Sequence, residues 1–92
     1  MSSKQIIVTV SGVDNVGIVA KVTAKLAELT VNIEDIKQTL MQGHFVMFML
    51  CDITNANINF KDLKNTLIEE GNKLELEIWV QKKGIFEKLN TI

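Results

Sequence analysis

Gly12 and Gly17 bracket the stretch of this chain whose backbone could serve a ligand. Val10-Ser-Gly-Val-Asp-Asn-Val-Gly-Ile-Val-Ala20 reads as the end of a strand, a turn, and the opening of a helix. The first turn of a helix leaves backbone N–H groups unpaired, and the positive end of the helix dipole lies there, so a carboxylate or a similar anion is favoured. Asp14 and Asn15 admit two roles: holding an ammonium and polar atoms of a ligand, or bonding their own backbone as turn residues do. Gly17 either helps to form the site or serves the backbone alone, through a positive φ or close packing. Asn32 either presents its amide to a ligand or caps the start of the second strand. A nucleotide phosphate loop is excluded, because Ile18 and Val19 stand where lysine and serine or threonine would be required.

Reactive side chains are few. One cysteine, Cys51, one histidine, His44, and no tyrosine leave no nucleophile–base pair at a meaningful spacing, so no catalytic residues are expected. Cys51 reads as a buried strand thiol; a single cysteine makes no intramolecular disulfide and fits a reducing cytoplasm. His44 stands alone beside the hairpin glycine, and Asp35 and Asp52 add no metal-ligand spacing, so neither a metal nor a cofactor is expected. Met41, Met47 and Met49, interleaved with Phe45 and Phe48, suit an adaptable pocket or, as the stronger default, a strand core. Net charge is −1, and all ten basic residues are lysines scattered among eleven carboxylates. Direct nucleic-acid binding, which leans on arginine and a clustered basic face, is therefore not expected. The apolar runs are too short for a membrane span and nothing resembles a signal peptide, so a cytoplasmic location is expected.

The elements that position these residues emerge from periodicity. Ile6 to Ser11 alternates as a strand; Ile18, Val19, Val22, Leu26 and Leu29 recur at helical spacing. Asn32 to Leu40 is a second strand whose alternation breaks at Asp35-Ile36, where a bulge is expected. Gln42-Gly43 turns the chain into Phe45–Ile53, which is apolar on both faces and must be central. Asn59 caps a second helix with an inner stripe of Phe60, Leu63, Leu67 and Ile68, and Gly71 is the expected stop. Leu74, Leu76, Ile78 and Val80 alternate as strand four, and Ile85, Phe86, Leu89 and Ile92 suggest a tail helix over 85–92. The pattern implies one domain over 1–92, of α+β class: a ferredoxin-like βαββαβ sandwich. It has a four-stranded antiparallel sheet, two helices on one face, and the short C-terminal helix as a lid for the other.

The run Val8-Thr-Val-Ser-Gly-Val-Asp-Asn-Val-Gly-Ile-Val-Ala20, its helix, and Val31-Asn-Ile33 resemble the ACT domain, a small regulatory module of amino-acid metabolism. The helix start Gly-Ile-Val-Ala-Lys-Val-Thr-Ala24 and the Ile85-Phe86 tail are similar to stand-alone bacterial ACT proteins and to the domains of glycine-cleavage-type regulators. The resemblance implies a small-molecule site, commonly at a dimer interface, formed by Asp14, Asn15, Gly17, Ile18, Asn32 and Ile33. It favours the ligand role for Asn32. The family turn usually reads Asp-Arg-Pro-Gly, whereas this chain has Asp14-Asn-Val-Gly17, without the arginine and the proline. The expected protein is a homodimeric, non-catalytic module that binds a small amino acid and relays its state to a protein partner. The alternatives are a ligand-free dimerisation or docking module of the same fold and, ranked below both, a small enzyme. Trp79, on the polar side of strand four, is expected under the tail or a partner subunit.

Overall fold

The computed structural model describes residues 4–13 and 17–84. β1 (Gln5–Val13), α1 (Ile18–Glu28), β2 (Asn32–Met41), β3 (His44–Asp52), α2 (Phe60–Lys73) and β4 (Glu77–Lys82) occur in the expected order. The sheet runs β2-β3-β1-β4 with every neighbouring pair antiparallel, the ferredoxin-like arrangement. The tail helix expected over 85–92 lies outside the described residues.

Strand parity divides the sheet. Ile6, Val8 and Val10 of β1, Phe45, Met47, Met49 and Cys51 of β3, and Ile78 and Val80 of β4 are all buried. They pack under Ile18, Val22 and Leu26 of α1 and Leu63 and Leu67 of α2 in one core, so Met47 and Met49 are core residues. The alternate residues face away from the helices. There Val46 and Leu50 are half-buried, while Phe48 and Trp79 remain 41% and 49% exposed. β3 is thus an inner strand, as its two apolar faces required. β2 carries the expected irregularity one residue early: the register slips between Ile33 and Asp35, leaving Glu34 as the extra residue.

Asn59 accepts a hydrogen bond from the Asp62 N–H at 2.8 Å, as its N-cap role requires. The other end of α2 corrects two expectations. Gly71 does not stop the helix, which continues to Lys73. A Cβ on Gly71 would lie 2.9 Å from Ile78 Cγ1, so the glycine lets α2 approach β4. The stop is made further on, where the Leu76 N–H bonds Gly71 O at 2.7 Å and the Glu75 N–H bonds Asn72 O at 3.2 Å, with Glu75 at φ +60°. Leu74 and Leu76 belong to this Schellman closure, so β4 begins at Glu77 rather than at Leu74. α1 ends the same way: Val31 N–H to Leu26 O and Thr30 N–H to Ala27 O, each 3.0 Å, with Thr30 at φ +58°.

Both closures place a side chain where glycine is favoured. A left-handed residue costs about 1–2 kcal/mol, and glycine returns about 0.4–1 kcal/mol of that as unfolded-chain freedom. Thr30→Gly and Glu75→Gly should therefore each stabilise the fold by roughly 0.5–1 kcal/mol in urea unfolding. Gly71→Ala should do the opposite, by about 1–3 kcal/mol, because Ile78 must give way.

Candidate functional site

Gly17 is the N-cap of α1, at φ +87° and ψ 0°. A Cβ built there meets nothing within 4 Å, so the glycine serves its backbone angle and not close packing. Among the described residues no side chain caps α1 and no acidic residue sits in its first turn. α2 differs: Asn59 bonds an N–H there and Asp62 adds a carboxylate to the first turn. Among the described residues no side chain takes up the first-turn N–H groups of α1, an end that favours an anion.

They open onto a cleft. Residues 17–20 form one wall, Gln38, Thr39 and Leu40 of β2 form the other, and Phe45 of β3 lies between, enclosing about 890 Å³ in an open groove. The β2–β3 hairpin explains the meeting. Leu40 pairs with Phe45, and Phe45 pairs with Gly12, so the hairpin end of β2 lies at the end of β1 from which α1 departs. Ile18 and Phe45 are buried beneath the groove, while Leu40 is 60% exposed on its rim. Gln38 and Leu40, on the helix side of β2, thus stand opposite the N-terminus of α1, while Thr39 pairs with Val46 of the helix-free face. Such a lining offers a helix N-terminus and an amide beside apolar surface.

The six residues named from sequence divide three ways. Gly17 and Ile18 line the cleft. Asp14 and Asn15 lie outside the described residues. Asn32 and Ile33 sit at the far end of β2, where eight residues from Asn32 to Leu40 at about 3.3 Å each amount to roughly 26 Å. Asn32 pairs with Asp52 there and joins Thr30, Val31 and Asn55 around a smaller hollow. Thr54 donates from its hydroxyl and its backbone N–H to Asp52 Oδ1, holding that carboxyl below its usual range. Ile33 packs on the core. Within one protomer, then, Asn32 and Gly17 do not meet. Sequence reading missed Gln38, Thr39 and Leu40 as cleft residues; the available signal was Leu40, an apolar residue beside the hairpin turn that faces the start of α1.

The isolated reactive groups take structural places. Cys51 is fully buried in the core, and burial, helped by the Glu34 carboxylate, pushes its thiol up to about 12. Such a thiol is a poor nucleophile. His44 Nε2 lies 2.9 Å from Ser11 Oγ at the exposed end of the helix-free face, where no carboxylate is hydrogen-bonded to the ring among the described residues. No cluster of potential metal ligands occurs among the described residues, nor is any described helix long and apolar enough to cross a membrane.

Comparison with known proteins agrees with this fold. Residues 4–81 match a family model for the ACT domain. The chain is 44% identical over 86 residues to a UPF0237 protein of Listeria innocua, spanning 94% of this chain and 97% of that one. Among solved structures it is similar to an ACT domain protein from Streptococcus pneumoniae, with TM-score 0.79, 38% identity, and 90% and 93% of the two chains covered. A structure assigned to a glycine cleavage system transcriptional repressor superposes with TM-score 0.74 at 22% identity, over 84% of this chain and 44% of that one, which shows the shared fold.

Proposed function

The chain belongs to the ACT domain family, and from that premise we propose that it is a non-catalytic regulatory module that binds a small amino acid at the N-terminus of α1. The observation that carries this reading is the N-terminus of α1, which has no side-chain cap among the described residues, facing Gln38 and Leu40 across an open groove. A carboxylate is stabilised by the first-turn N–H groups and the helix dipole. Asp14 and Asn15, which the family pattern assigns to the ligand, precede Gly17 in sequence and have the chemistry to hold an ammonium. Ile18, Leu40 and Phe45 offer apolar surface for a small side chain.

The remote position of Asn32 is accounted for by a dimer. β2 is an edge strand of ten residues, exposed along nearly its whole length, with Ile36 and Leu40 presenting apolar side chains beside the edge. An edge of this kind is a template for pairing with another chain. Two copies joined antiparallel through β2 about a twofold axis bring the first residues of one strand opposite the last residues of the other. The partner's Asn32 then lies beside Leu40, at the mouth of the cleft that begins at Gly17. Gly17 and Ile18 of one subunit and the partner's Asn32 come together in this arrangement. Ligand binding and subunit geometry become coupled, so the occupied state can be relayed to a protein partner.

A thermal-shift screen against the common amino acids should find one that raises Tm by several degrees, since a ligand at 100 times its Kd adds about 2.7 kcal/mol. In calorimetric titration with that amino acid, Asn32→Ala should weaken binding about 2–10-fold through one lost hydrogen bond. Gly17→Ala should weaken it more, because the left-handed φ no longer suits the residue that opens the helix. No shift across the panel at millimolar concentration, with the dimer intact, would instead support an assembly module; the absence of the family pattern's arginine and proline from residues 14–17 is the observation on its side.

Light scattering at micromolar concentration should give twice the 10.3 kDa mass of the chain. Ile36→Lys, which puts a charge beside the paired edge, should yield folded monomers that bind the amino acid poorly. A monomeric parent protein would contradict the dimer.

A further inference from the structure

The second half of the chain repeats the plan of the first. β1-α1-β2 and β3-α2-β4 correspond, with β1 and β3 side by side in the sheet and β2 and β4 at its edges. In the first half, Leu40 near the end of β2 pairs with Phe45 near the start of β3, beside the N-cap of α1, and the cleft lies there. The equivalent pair in the second half is Lys82 at the end of β4 with Ile6 near the start of β1, beside Asn59, the N-cap of α2. A hollow of about 400 Å³ occupies this place, at the opposite end of the sheet from the cleft. Its floor is apolar: Ile6 is buried, and Ile53, Ile58 and Phe60 are half-buried against the core. Lys82 Nζ lies 5.3 Å from the centre of the Phe60 ring, within cation–π range, and Lys4 lines the same hollow. Among the described residues no acidic side chain lines the hollow, and none lies within ion-pair distance of Lys82.

We propose that this hollow is a second binding site, for a small monocarboxylate with an apolar body: Lys82 meets the carboxylate, and Ile53, Ile58 and Phe60 hold the body. The charge does not come from the helix end. Asn59 already takes the Asp62 N–H, and Asp62 puts a carboxylate of its own in the first turn of α2, so the attraction rests on the lysine. Two other polar residues of the lining are partnered within the fold: Thr54 donates to Asp52, and Gln5 Nε2 donates to Glu34 Oε1 at 2.7 Å. The Phe60 ring holds the Lys82 ammonium beside the hollow without neutralising it. A bare anion would leave the apolar floor wet, and a neutral apolar molecule would leave the ammonium unpaired, so a molecule with both parts fits best. The chain has no arginine to fork onto a phosphate, which favours a carboxylate head. With no acidic side chain among its described lining, the hollow offers nothing to an ammonium, and this separates its ligand from an amino acid. The hollow and the cleft share no lining residue, so each reading stands or falls alone.

Amide and methyl chemical-shift mapping of the full chain tests this, with hexanoate as the probe, hexanamide as its neutral match and inorganic phosphate as a bare anion. Hexanoate should perturb Ile53, Ile58, Phe60 and Lys82 along one saturable curve at millimolar concentration. Hexanamide should bind about 3–10-fold more weakly, through the loss of one charged contact, and phosphate should leave the Ile53 and Ile58 methyls unmoved. Lys82→Gln should abolish the preference for hexanoate over hexanamide, and Lys82→Arg should keep it. Lys82 is exposed at a strand end, so both variants should retain the dispersed spectrum of the parent. The absence of any saturable shift at these residues with hexanoate, measured on the unaltered chain, would overturn the proposal. So would equal affinity for hexanamide, which would reduce the hollow to an apolar contact. Perturbation confined to Gly17 to Ala20 and Gln38 to Leu40 would also overturn it, by placing the acid in the cleft.

Discussion

Val8 of β1 lies between Met49 of β3 and Val80 of β4, and Val10 lies between Met47 and Ile78. These two cross-strand rows are buried under Val22, Leu26, Leu63 and Leu67, and the rest of the molecule depends on them. Burying one such aliphatic side chain is worth about 1.5–3 kcal/mol, whereas a solvent-exposed helix pair such as Lys25–Glu28 contributes about 0.3–0.5 kcal/mol. The rows also fix the register. A slip of one residue in β1 would send Thr9 into the core and Val8 to the other face. Because strand side chains alternate, committing these residues to the helices commits Ile7, Thr9, Phe48 and Trp79 to the opposite side.

The placement of α1 depends on the same core. Its C-terminal carbonyls are satisfied by the closure at Thr30 and by Asn57, whose Nδ2 donates to Glu28 O at 3.0 Å and whose N–H donates to Leu29 O at 3.1 Å. The N-terminal end has no such partners among the described residues, apart from the helix bond of the Lys21 N–H to Gly17 O. One end of the helix is thus tied to the loop before α2, and the other is presented to the cleft. The cleft's second wall, Gln38 to Leu40, is also part of the exposed edge strand. In the proposed dimer a ligand touching that wall changes the free energy of edge pairing, and by linkage pairing changes ligand affinity by the same factor.

Much of this is legible in the sequence. β1, α1, the hairpin, the inner position of β3 and the Asn59 cap can be read from period, turn residues and capping chemistry, and the bulge in β2 lies within one residue of the break in alternation. The end of α2 is not legible, because Leu74 and Leu76 continue the alternation of β4 while packing as part of the helix stop. Gly71 has the composition of a stop signal but the burial of a packing contact, and only the approach of Ile78 distinguishes the two. In the site, Gly17 and Ile18 can be read from the helix start. Gln38 to Leu40 cannot be read as its opposite wall, since that depends on how the hairpin folds back beside β1. The separation of Asn32 from Gly17 within one protomer has the same origin, since the two ends of β2 are placed by the hairpin and not by the family pattern.

In the proposed dimer one ligand contacts both ends of β2, which lie far apart in each protomer. Amide chemical-shift mapping during titration with a binding amino acid tests this directly. Perturbations should cluster at Gly17 to Ala20, at Gln38 to Leu40, and at Asn32, rising together along a single saturation curve. Perturbation at the α1 end with none at Asn32 would contradict the shared site, and perturbation confined to the smaller hollow around Asn32 and Asp52 would place binding elsewhere.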